Sequence, residues 1–412
     1  MIRKAKVAVA LGVAAALLLT GCSAGTNASS GGKTEITFLS WDTEQVMKPV
    51  IADFEKENPD ITVKASYSPP VNDYIQALQT RILSGTAPDV FVIAAENRTN
   101  LLKNHAVLDL SDQPWVSEMP KFNQEAYGED GKVYGLSVAS WGAGVFFNKK
   151  LLKQVGYDTV PQDWDGFLTL CEKLKAAGIT PFLESINGVP FFIQAFLGAH
   201  NEATGGTMDH EIFTGKSSFE KQWTPIVAQY DKLYSEGLAS PDTAAITGDQ
   251  VNTEFINQKV AMIPNGPWPI AQMRQSKDLD FGVTPIPALP GTKPYVAGAA
   301  GVGWAIGAKS KHVAASEKFL SYLASKRGVA LYAKSSGSII VTSNYTSTVD
   351  PAFEPLVPSI KAGDIYLANI GWERDQDVLA AEATAQFQSL VQGKISPQQL
   401  TQDLDKKLAA TP

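Results

Sequence analysis

The feature that most constrains the fold is a series of apolar and amphipathic segments that alternate between residues 36 and 93. Apolar stretches at 36–41, 61–67 and 89–93 predict strands, and the two segments between them carry apolar residues at helical spacing. Short connections leave no room for further modules. Nearly all-apolar strands that alternate with helices are typical of a parallel sheet covered on both faces. The sequence therefore predicts a doubly wound α/β domain here.

The rest of the chain continues this mixture less regularly, beginning with a long extended segment at 134–148. A chain of 412 residues is longer than one ordinary core supports, so we expect two domains. The further predicted elements are helices at 165–177, 191–199 and 219–235, strands at 260–263, 281–285 and 302–306, and a C-terminal helix that starts with the capping residues 396–399.

The N-terminus has the pattern of an export signal. Three basic residues precede an apolar run from Val7 to Leu19, which is shorter than the roughly 20 residues that span a bilayer. Leu-Thr-Gly-Cys at 19–22 resembles a bacterial lipobox, in which the chain is cut before the cysteine and the thiol is acylated. We therefore expect residues 1–21 to be a signal peptide and Cys22 to carry a lipid on the outer face of a membrane. The alternatives are an ordinary signal peptide with an incidental cysteine and a buried N-terminal helix.

The composition and net charge of the chain after the signal peptide indicate which kinds of molecule it can bind. Residues 22–33 contain mainly Gly, Ser, Ala, Thr and Asn, which predicts a flexible tether. Loss of the three basic signal residues from a chain of net charge −7 leaves −10. A negative surface argues against nucleic acid and anionic lipid as partners and fits a neutral ligand.

Familiar catalytic and metal motifs do not occur. The four histidines are scattered, there is no CxxC or GxSxG, and the stretch 303–310 has Ala308 where a phosphate-binding loop needs glycine. Cys171 lies among leucines at helical spacing, which predicts a buried and inert thiol. We expect no metal and no cofactor.

Scattered carboxylates leave one enzymatic alternative open. Asp42, Glu96, Glu184 and Glu373 are the acids that a glycoside hydrolase would have to pair across a scissile bond. Sequence spacing alone does not show that any two of these carboxylates face each other across a bond.

Aromatic and polar residues at element ends are the main functional signal. Trp41 and Asp42 end the first strand, and Glu96 and Asn97 follow the third, at the edge where open α/β sheets bind ligands. An indole stacks on the apolar face of a sugar ring while polar side chains bind its hydroxyls. The remaining candidate ligand-binding residues are Asn72, Tyr74, Trp141, Glu184, Trp268, Gly301, Trp372 and Arg374.

Four stretches carry a family resemblance. They are Gly85–Val90 (GTAPDV), Tyr134–Lys149 (YGL…FNK), Ala261–Trp268 (AMIPNGPW), and 282–287 with 301–304 (GVTPIP and GVGW). Two positions depart from the family pattern, with Ser137 for the usual proline and Phe147 for the usual tyrosine. In this order along the mature chain, the stretches resemble extracellular solute-binding proteins of carbohydrate ABC importers, the group that includes maltose-binding protein.

The resemblance implies two α/β lobes, each a mainly parallel sheet flanked by helices, joined by three crossings with the ligand between them. By analogy the crossings lie near 139–145, 286–293 and 334–340. Lobe 1 would comprise 34–142 and 290–336, and lobe 2 143–289 and 337–412. Trp268 and Trp372 would stack on sugar rings, and Trp41, Asp42, Glu96 and Asn97 would bind hydroxyls; the segment around Glu184 corresponds only loosely.

The resulting hypothesis is a lipid-tethered, monomeric receptor that captures a di- or oligosaccharide and delivers it to the permease subunits of an importer, without catalysis. The alternatives are a membrane-anchored glycoside hydrolase, a sugar receptor that feeds a sensor kinase, and a transport protein for another ligand such as a polyol, a peptide or a metal.

Overall fold

The computed structural model describes residues 33–69, 71–94, 97–336 and 338–411, without the side chains of Asn72 and Asp377. The expected signal peptide, Cys22 and nearly all of the tether lie outside these residues. The strands are β1 (Thr34–Ser40), β2 (Ile61–Tyr67), β3 (Val90–Ile93), β4 (Gly128–Glu129), β5 (Lys132–Val133), β6 (Ala139–Asn148), β7 (Thr180–Phe182), β8 (Val260–Asn265), β9 (Phe281–Thr284), β10 (Val296–Ala300), β11 (Gly303–Ile306), β12 (Ile339–Ile340) and β13 (Ile365–Tyr366).

The α-helices alternate with these strands and cover the sheets. They are α1 (Glu44–Glu57), α2 (Val71–Leu83), α3 (Arg98–Lys103), α4 (Lys121–Ala126), α5 (Lys149–Gln154), α6 (Trp164–Ala176), α7 (Phe191–Ala203), α8 (Met208–Phe213), α9 (Phe219–Ser235), α10 (Gly248–Ile256), α11 (Ile270–Met273), α12 (Val313–Ala324), α13 (Lys326–Ser336), α14 (Val357–Ala362), α15 (Gln376–Val391) and α16 (Pro397–Ala410). None of the described helices is long and apolar enough to cross a membrane.

The first body, here called lobe 1, is built on a four-stranded sheet in the order β11-β3-β1-β2. β1 pairs in parallel with both β2 and β3, and only β11 at the edge is antiparallel. The parallel strands and their two helices are the unit predicted from residues 36–93. Its core extends through α12 and α13, which return to this lobe late in the chain.

The second body, lobe 2, is built on a larger and mixed sheet in the order β13-β10-β6-β8-β7, with β9 and β12 also paired to β6. The expectation of a mainly parallel sheet is wrong for this lobe. β6 is long enough for different partners at its two ends, and it runs antiparallel to β8, β9, β10 and β12. Only the β7–β8 and β10–β13 pairs are parallel.

The chain passes between the lobes three times. β6 starts in the core of lobe 1 at Ala139 and reaches the core of lobe 2 by Ala143. β10 belongs to the sheet of lobe 2 and β11 to the sheet of lobe 1, so the second crossing lies at 300–303. It follows the predicted position near 286–293 by about ten residues, because β10 pairs with β6 before the chain leaves. The third crossing joins α13 to β12.

The interior of lobe 2 also contains Cys171, on the inward face of α6. Burial raises the pKa of its thiol far above the ordinary range, so the thiol stays protonated and unreactive. The predicted burial of Cys171 is confirmed, and its thiol is free.

Candidate functional site

Trp268 is the most unusual side chain near the crossings, because 57% of this large aromatic residue is exposed. It follows β8 in the segment Asn-Gly-Pro-Trp-Pro. The Asn265 side chain accepts a hydrogen bond from the Gly266 amide at 2.9 Å and fixes the turn out of the strand. A Cβ on Gly266 would lie 2.2 Å from the indole ring, so only glycine lets the ring lie over this backbone.

One cavity at the indole of Trp268, here called the hinge cavity, lies where the three crossings meet. It has a volume of about 390 Å³. Its wall includes Ser140 and Trp141 of the first crossing, Gly301 of the second and Ser338 of the third. The backbone of both lobes therefore contributes to this wall. A change in the angle between the lobes would change the shape of this cavity.

A second cavity, here called the amide cavity, also borders Trp268 and extends into lobe 2, with a volume of about 180 Å³. Its wall contains the polar residues Glu184, Asn187, Asp249, Asn252 and Asn265. The indole of Trp268 thus borders two different cavities, the hinge cavity, which is lined mainly by small or apolar residues, and the more polar amide cavity. This combination suits a ligand that has both apolar faces and a rim of hydrogen-bonding groups.

Glu184 is the most strongly perturbed acid in this region and is only 3% exposed. Burial raises the pKa of its carboxyl to about 7, and the hydroxyls of Tyr230 and Tyr234 partly oppose this shift. Both hydroxyls donate to the same oxygen, Oε1, at 2.6 and 2.8 Å. A carboxyl with this pKa changes its charge near neutral pH.

On lobe 1, Trp41 and Asp42 lie after the end of β1, as predicted from the sequence. Burial raises the pKa of Asp42 to about 6, against hydrogen bonds from the hydroxyls of Ser40 and Tyr332. The backbone carbonyl of Tyr332 accepts a hydrogen bond from Ser336 at 2.7 Å, and Ser336 lines the hinge cavity. Asp42 is therefore linked to that cavity through α13, but it is not on its wall.

Two predicted aromatic contacts lie in the protein interior instead. Tyr74 is 0% exposed, and its hydroxyl both donates to the Val92 carbonyl and accepts from the Val92 amide. Trp372 is 1% exposed and packs against Trp223 and Phe219. In this conformation neither ring has a face available to a ligand. Their positions near element ends do not place them at a surface.

The other predicted contacts are separated from the two cavities. The Asn97 side chain accepts a hydrogen bond from the Ala94 amide at 2.9 Å and so fixes the turn before α3. Arg374 donates to Asp375 and to the Thr411 carbonyl, in a groove that also contains Lys103 of lobe 1. Glu96 and the side chain of Asn72 lie outside the described residues. The structure thus brings together Trp141, Glu184, Trp268 and Gly301.

Tyr230 and Tyr234, whose hydroxyls hold Glu184, and several residues of the cavity walls were not predicted from the sequence. Tyr230 and Tyr234 lie four residues apart in the helix predicted at 219–235, so they share one face, and this spacing was the available signal. Asn265 immediately precedes the Gly-Pro-Trp stretch. Nothing in the sequence connects Asn187, Asp249 or Asn252 with Trp268, because their proximity arises only from folding.

A sequence profile for bacterial extracellular solute-binding proteins matches residues 40–330. The chain belongs to this family. It is similar to a multiple sugar-binding protein of Streptococcus mutans, with 26% identity over 89% of each chain. It is also similar to a maltooligosaccharide ABC transporter solute-binding lipoprotein of Streptococcus pneumoniae, with 27% identity over 80% of this chain and 79% of the relative.

The fold agrees with a solved family member. A family 1 extracellular solute-binding protein from Bifidobacterium longum subsp. infantis superposes with a TM-score of 0.84 and 32% identity, over 92% of this chain and all of that one. The two-lobed architecture is therefore that of the family. Among residues 33–69, 71–94, 97–336 and 338–411, no cluster of three or more His, Cys, Asp or Glu is placed to hold a metal ion.

Proposed function

We propose that this protein is the substrate-binding component of an ABC importer and that it captures a di- or oligosaccharide between its lobes. The observation that carries the proposal is the exposed indole of Trp268, which borders both the amide cavity and the hinge cavity at the three crossings. Relatives named as sugar-binding and maltooligosaccharide-binding proteins support the class of ligand.

The aromatic side chains around Trp268 favour a sugar ligand with more than one ring. The indole of Trp141 meets Trp268, and Trp141 in turn contacts Phe191. An indole contacts the C–H face of one sugar ring, and Trp268 lines both the hinge cavity and the amide cavity. A disaccharide or longer chain has one ring for the stacking surface and another for the polar wall, whereas a monosaccharide leaves one of them empty.

Capture by such a fold follows from the position of the site at the crossings. A sugar that touches both lobes only when they are closed stabilises the closed form and shifts the population toward it. The permease then receives a closed, loaded protein. Trp141, Trp268, Glu184 and Gly301 are the proposed contacts from the sequence-based set, and Asp42 and Trp41 are the proposed contacts from lobe 1.

The proposed location is the outer face of the cell membrane. Acylation of Cys22 would hold the protein there, and the Gly- and Ser-rich segment that follows would let the two lobes turn toward the permease. A relative named as a lipoprotein supports this part of the proposal. We propose that the protein acts as a monomer and performs no catalysis.

A thermal-shift screen of the mature protein against neutral di- and trisaccharides tests the proposal, because a ligand that binds only the folded state raises the melting temperature. We expect at least one oligosaccharide to raise it and to be recovered intact. Release of new reducing ends would favour the glycoside hydrolase instead. No shift with any sugar of the panel would overturn the proposal.

A further inference from the structure

The amide cavity has an unusual balance of charge. Among the described residues of its wall, Glu184 and Asp249 are the ionisable ones, and both are acids. The other polar side chains are amides and a serine hydroxyl. An anionic group in this cavity would approach two carboxylates without a neutralising cation, and carboxylates at close range strongly disfavour a further negative charge.

One carboxylate oxygen of Glu184 accepts hydrogen bonds from the protein, and the other has no protein partner among the described residues. Its Oε1 accepts both tyrosine hydrogen bonds, and the two tyrosine hydroxyl oxygens lie 3.2 Å apart. Its Oε2 accepts no hydrogen bond from the described residues, although the residue forms part of the cavity wall. The two tyrosines therefore fix the carboxyl in an orientation that leaves Oε2 for a ligand.

A donor group on the same wall complements this acceptor. The side-chain amide nitrogen of Asn265 donates to the amide oxygen of Asn252 at 2.7 Å. This bond uses the oxygen of Asn252 and leaves its amide nitrogen without an acceptor among the described residues. The cavity thus offers a fixed acceptor on Glu184 and a fixed donor on Asn252. A hydroxyl group, which donates one hydrogen bond and accepts others, satisfies both.

We propose that the amide cavity is the specificity subsite of the protein, that it binds an uncharged, hydroxyl-bearing end of a sugar through Glu184 Oε2, and that it excludes sugar acids. Tyr230 and Tyr234 are positioning residues that hold Glu184 for this contact. This inference rests on the proposed function and adds the chemical class of the sugar and the groups that select it.

Proton exchange provides a specific readout of this contact. The pKa of Glu184 is raised to about 7, and the titratable groups that face it are Tyr230 and Tyr234, with Asp249 elsewhere on the wall. A sugar hydroxyl that donates to Oε2 stabilises the ionised form, so binding at pH 7 releases protons. Asp42, whose pKa is raised to about 6, is already mostly ionised at pH 7, so it would release few protons on binding.

The experiment compares a neutral trisaccharide with its acidic counterpart. Raffinose, maltotriose and cellotriose are titrated calorimetrically at pH 7 in two buffers of different ionisation enthalpy. The sugar that binds best is then oxidised at its primary hydroxyls to carboxylates and titrated again. We expect proton release with the neutral sugar and at least tenfold weaker binding of the oxidised one.

Variants assign the effect to the cavity. Glu184→Gln should abolish proton release and reduce the difference in affinity between the neutral and the oxidised sugar to a few-fold. Tyr230→Phe or Tyr234→Phe should weaken binding of the neutral sugar several-fold. Tyr366 and Asp209 form a matched control, because this hydroxyl also donates to a buried carboxylate of lobe 2 but lines neither cavity. Tyr366→Phe and Asp209→Asn should leave affinity, discrimination and proton release unchanged.

Two outcomes would overturn the inference while leaving the proposed function intact. In one, the oxidised sugar binds as tightly as the neutral sugar. In the other, Glu184→Gln changes neither discrimination nor proton release, although Trp268→Ala abolishes binding. If none of the three trisaccharides and no sugar of the thermal-shift panel binds to the wild-type protein, the proposed function itself fails and the inference fails with it.

Discussion

The indole rings of Trp141 and Trp268 meet edge to face, with their centroids 5.7 Å apart and their planes inclined at 65°. Trp141 belongs to the strand that crosses first between the lobes, whereas Trp268 follows a strand that lies wholly within lobe 2. The edge of one ring therefore supports the other while most of Trp268 stays exposed. Such an arrangement provides a rigid aromatic surface beside the hinge.

Trp268→Ala should weaken sugar binding far more than it weakens the fold. Loss of the stacking surface should reduce affinity by about 30-fold, which corresponds to roughly 2 kcal/mol. The free energy of unfolding should change by no more than about 1 kcal/mol, because much of the side chain is already in water. Calorimetry and urea unfolding measure the two effects.

Leu83→Ala is the matched control for this variant, since Leu83 is an exposed apolar side chain (81%) at the end of α2 and lines neither cavity. It should leave affinity unchanged. An equal loss of affinity in both variants would contradict the role given to Trp268.

Trp372→Ala should have the opposite pattern. Its ring is enclosed by aromatic side chains in the core of lobe 2, so its removal leaves a large cavity. We expect a loss of about 3–5 kcal/mol in the free energy of unfolding. Urea unfolding checks this value, and titration under conditions where the variant is folded should give nearly wild-type affinity. A stable variant that no longer binds sugar would restore the predicted stacking role of Trp372.

Gly266→Ala tests how the local backbone holds the indole. An added methyl group would occupy the space of the Trp268 ring, so the ring must move away. We expect affinity to fall about tenfold, or roughly 1.4 kcal/mol, with a changed tryptophan fluorescence spectrum. Leu83→Ala is the control, because Leu83 is exposed and lines neither cavity, and it should leave affinity and the fluorescence spectrum unchanged. Similar losses in both variants would contradict the steric explanation.

Stability should fall as pH rises through the acidic and neutral range. The pKa is raised to about 7 in Glu184 and to about 6 in Asp42 and Asp209, so the folded state binds protons more tightly than the unfolded chain. The stability that these three carboxyls add to the folded state is fully present below about pH 4. It is lost as the pH rises past their raised pKa values. For Glu184 the loss is about 3 kcal/mol.

Glu184→Gln should remove this part of the pH dependence, and urea unfolding at intervals from pH 4 to pH 8 measures it. Glu236→Gln, which changes an exposed carboxyl, serves as the control and should retain the wild-type profile. A stability that rises from pH 5 to pH 8 in the wild-type protein would contradict the assignment.

The local sequence pattern was enough to predict some helices and strands, but it was insufficient to predict which aromatic side chains are buried. The strands and helices between residues 36 and 93 follow from short-range periodicity, and helix α9 was predicted with its observed bounds. The Gly-Pro-Trp stretch predicted a loop position for Trp268, because the neighbouring prolines and glycine act on the local backbone. Burial of Tyr74 and Trp372, in contrast, depends on residues distant in sequence, such as Val92 and Trp223.

The mixed sheet of lobe 2 could not be predicted for a related reason. β6 is a single apolar run in the sequence, and nothing in it specifies four antiparallel partners. The position of the second crossing depends on the same pairing, since β10 continues the sheet of lobe 2 to Ala300 before the chain returns. The polar wall opposite Trp268 likewise combines Glu184 with Asn252, which adjoin the same cavity only after folding.

Calorimetric titration of the mature wild-type protein with neutral trisaccharides tests the central claim most directly. The proposed function predicts saturable binding of at least one such sugar, with one molecule bound per protein, recovery of the sugar intact, and a large loss of affinity in Trp268→Ala. Absence of binding across the whole panel of neutral oligosaccharides, or an affinity that Trp268→Ala leaves unchanged, would contradict it.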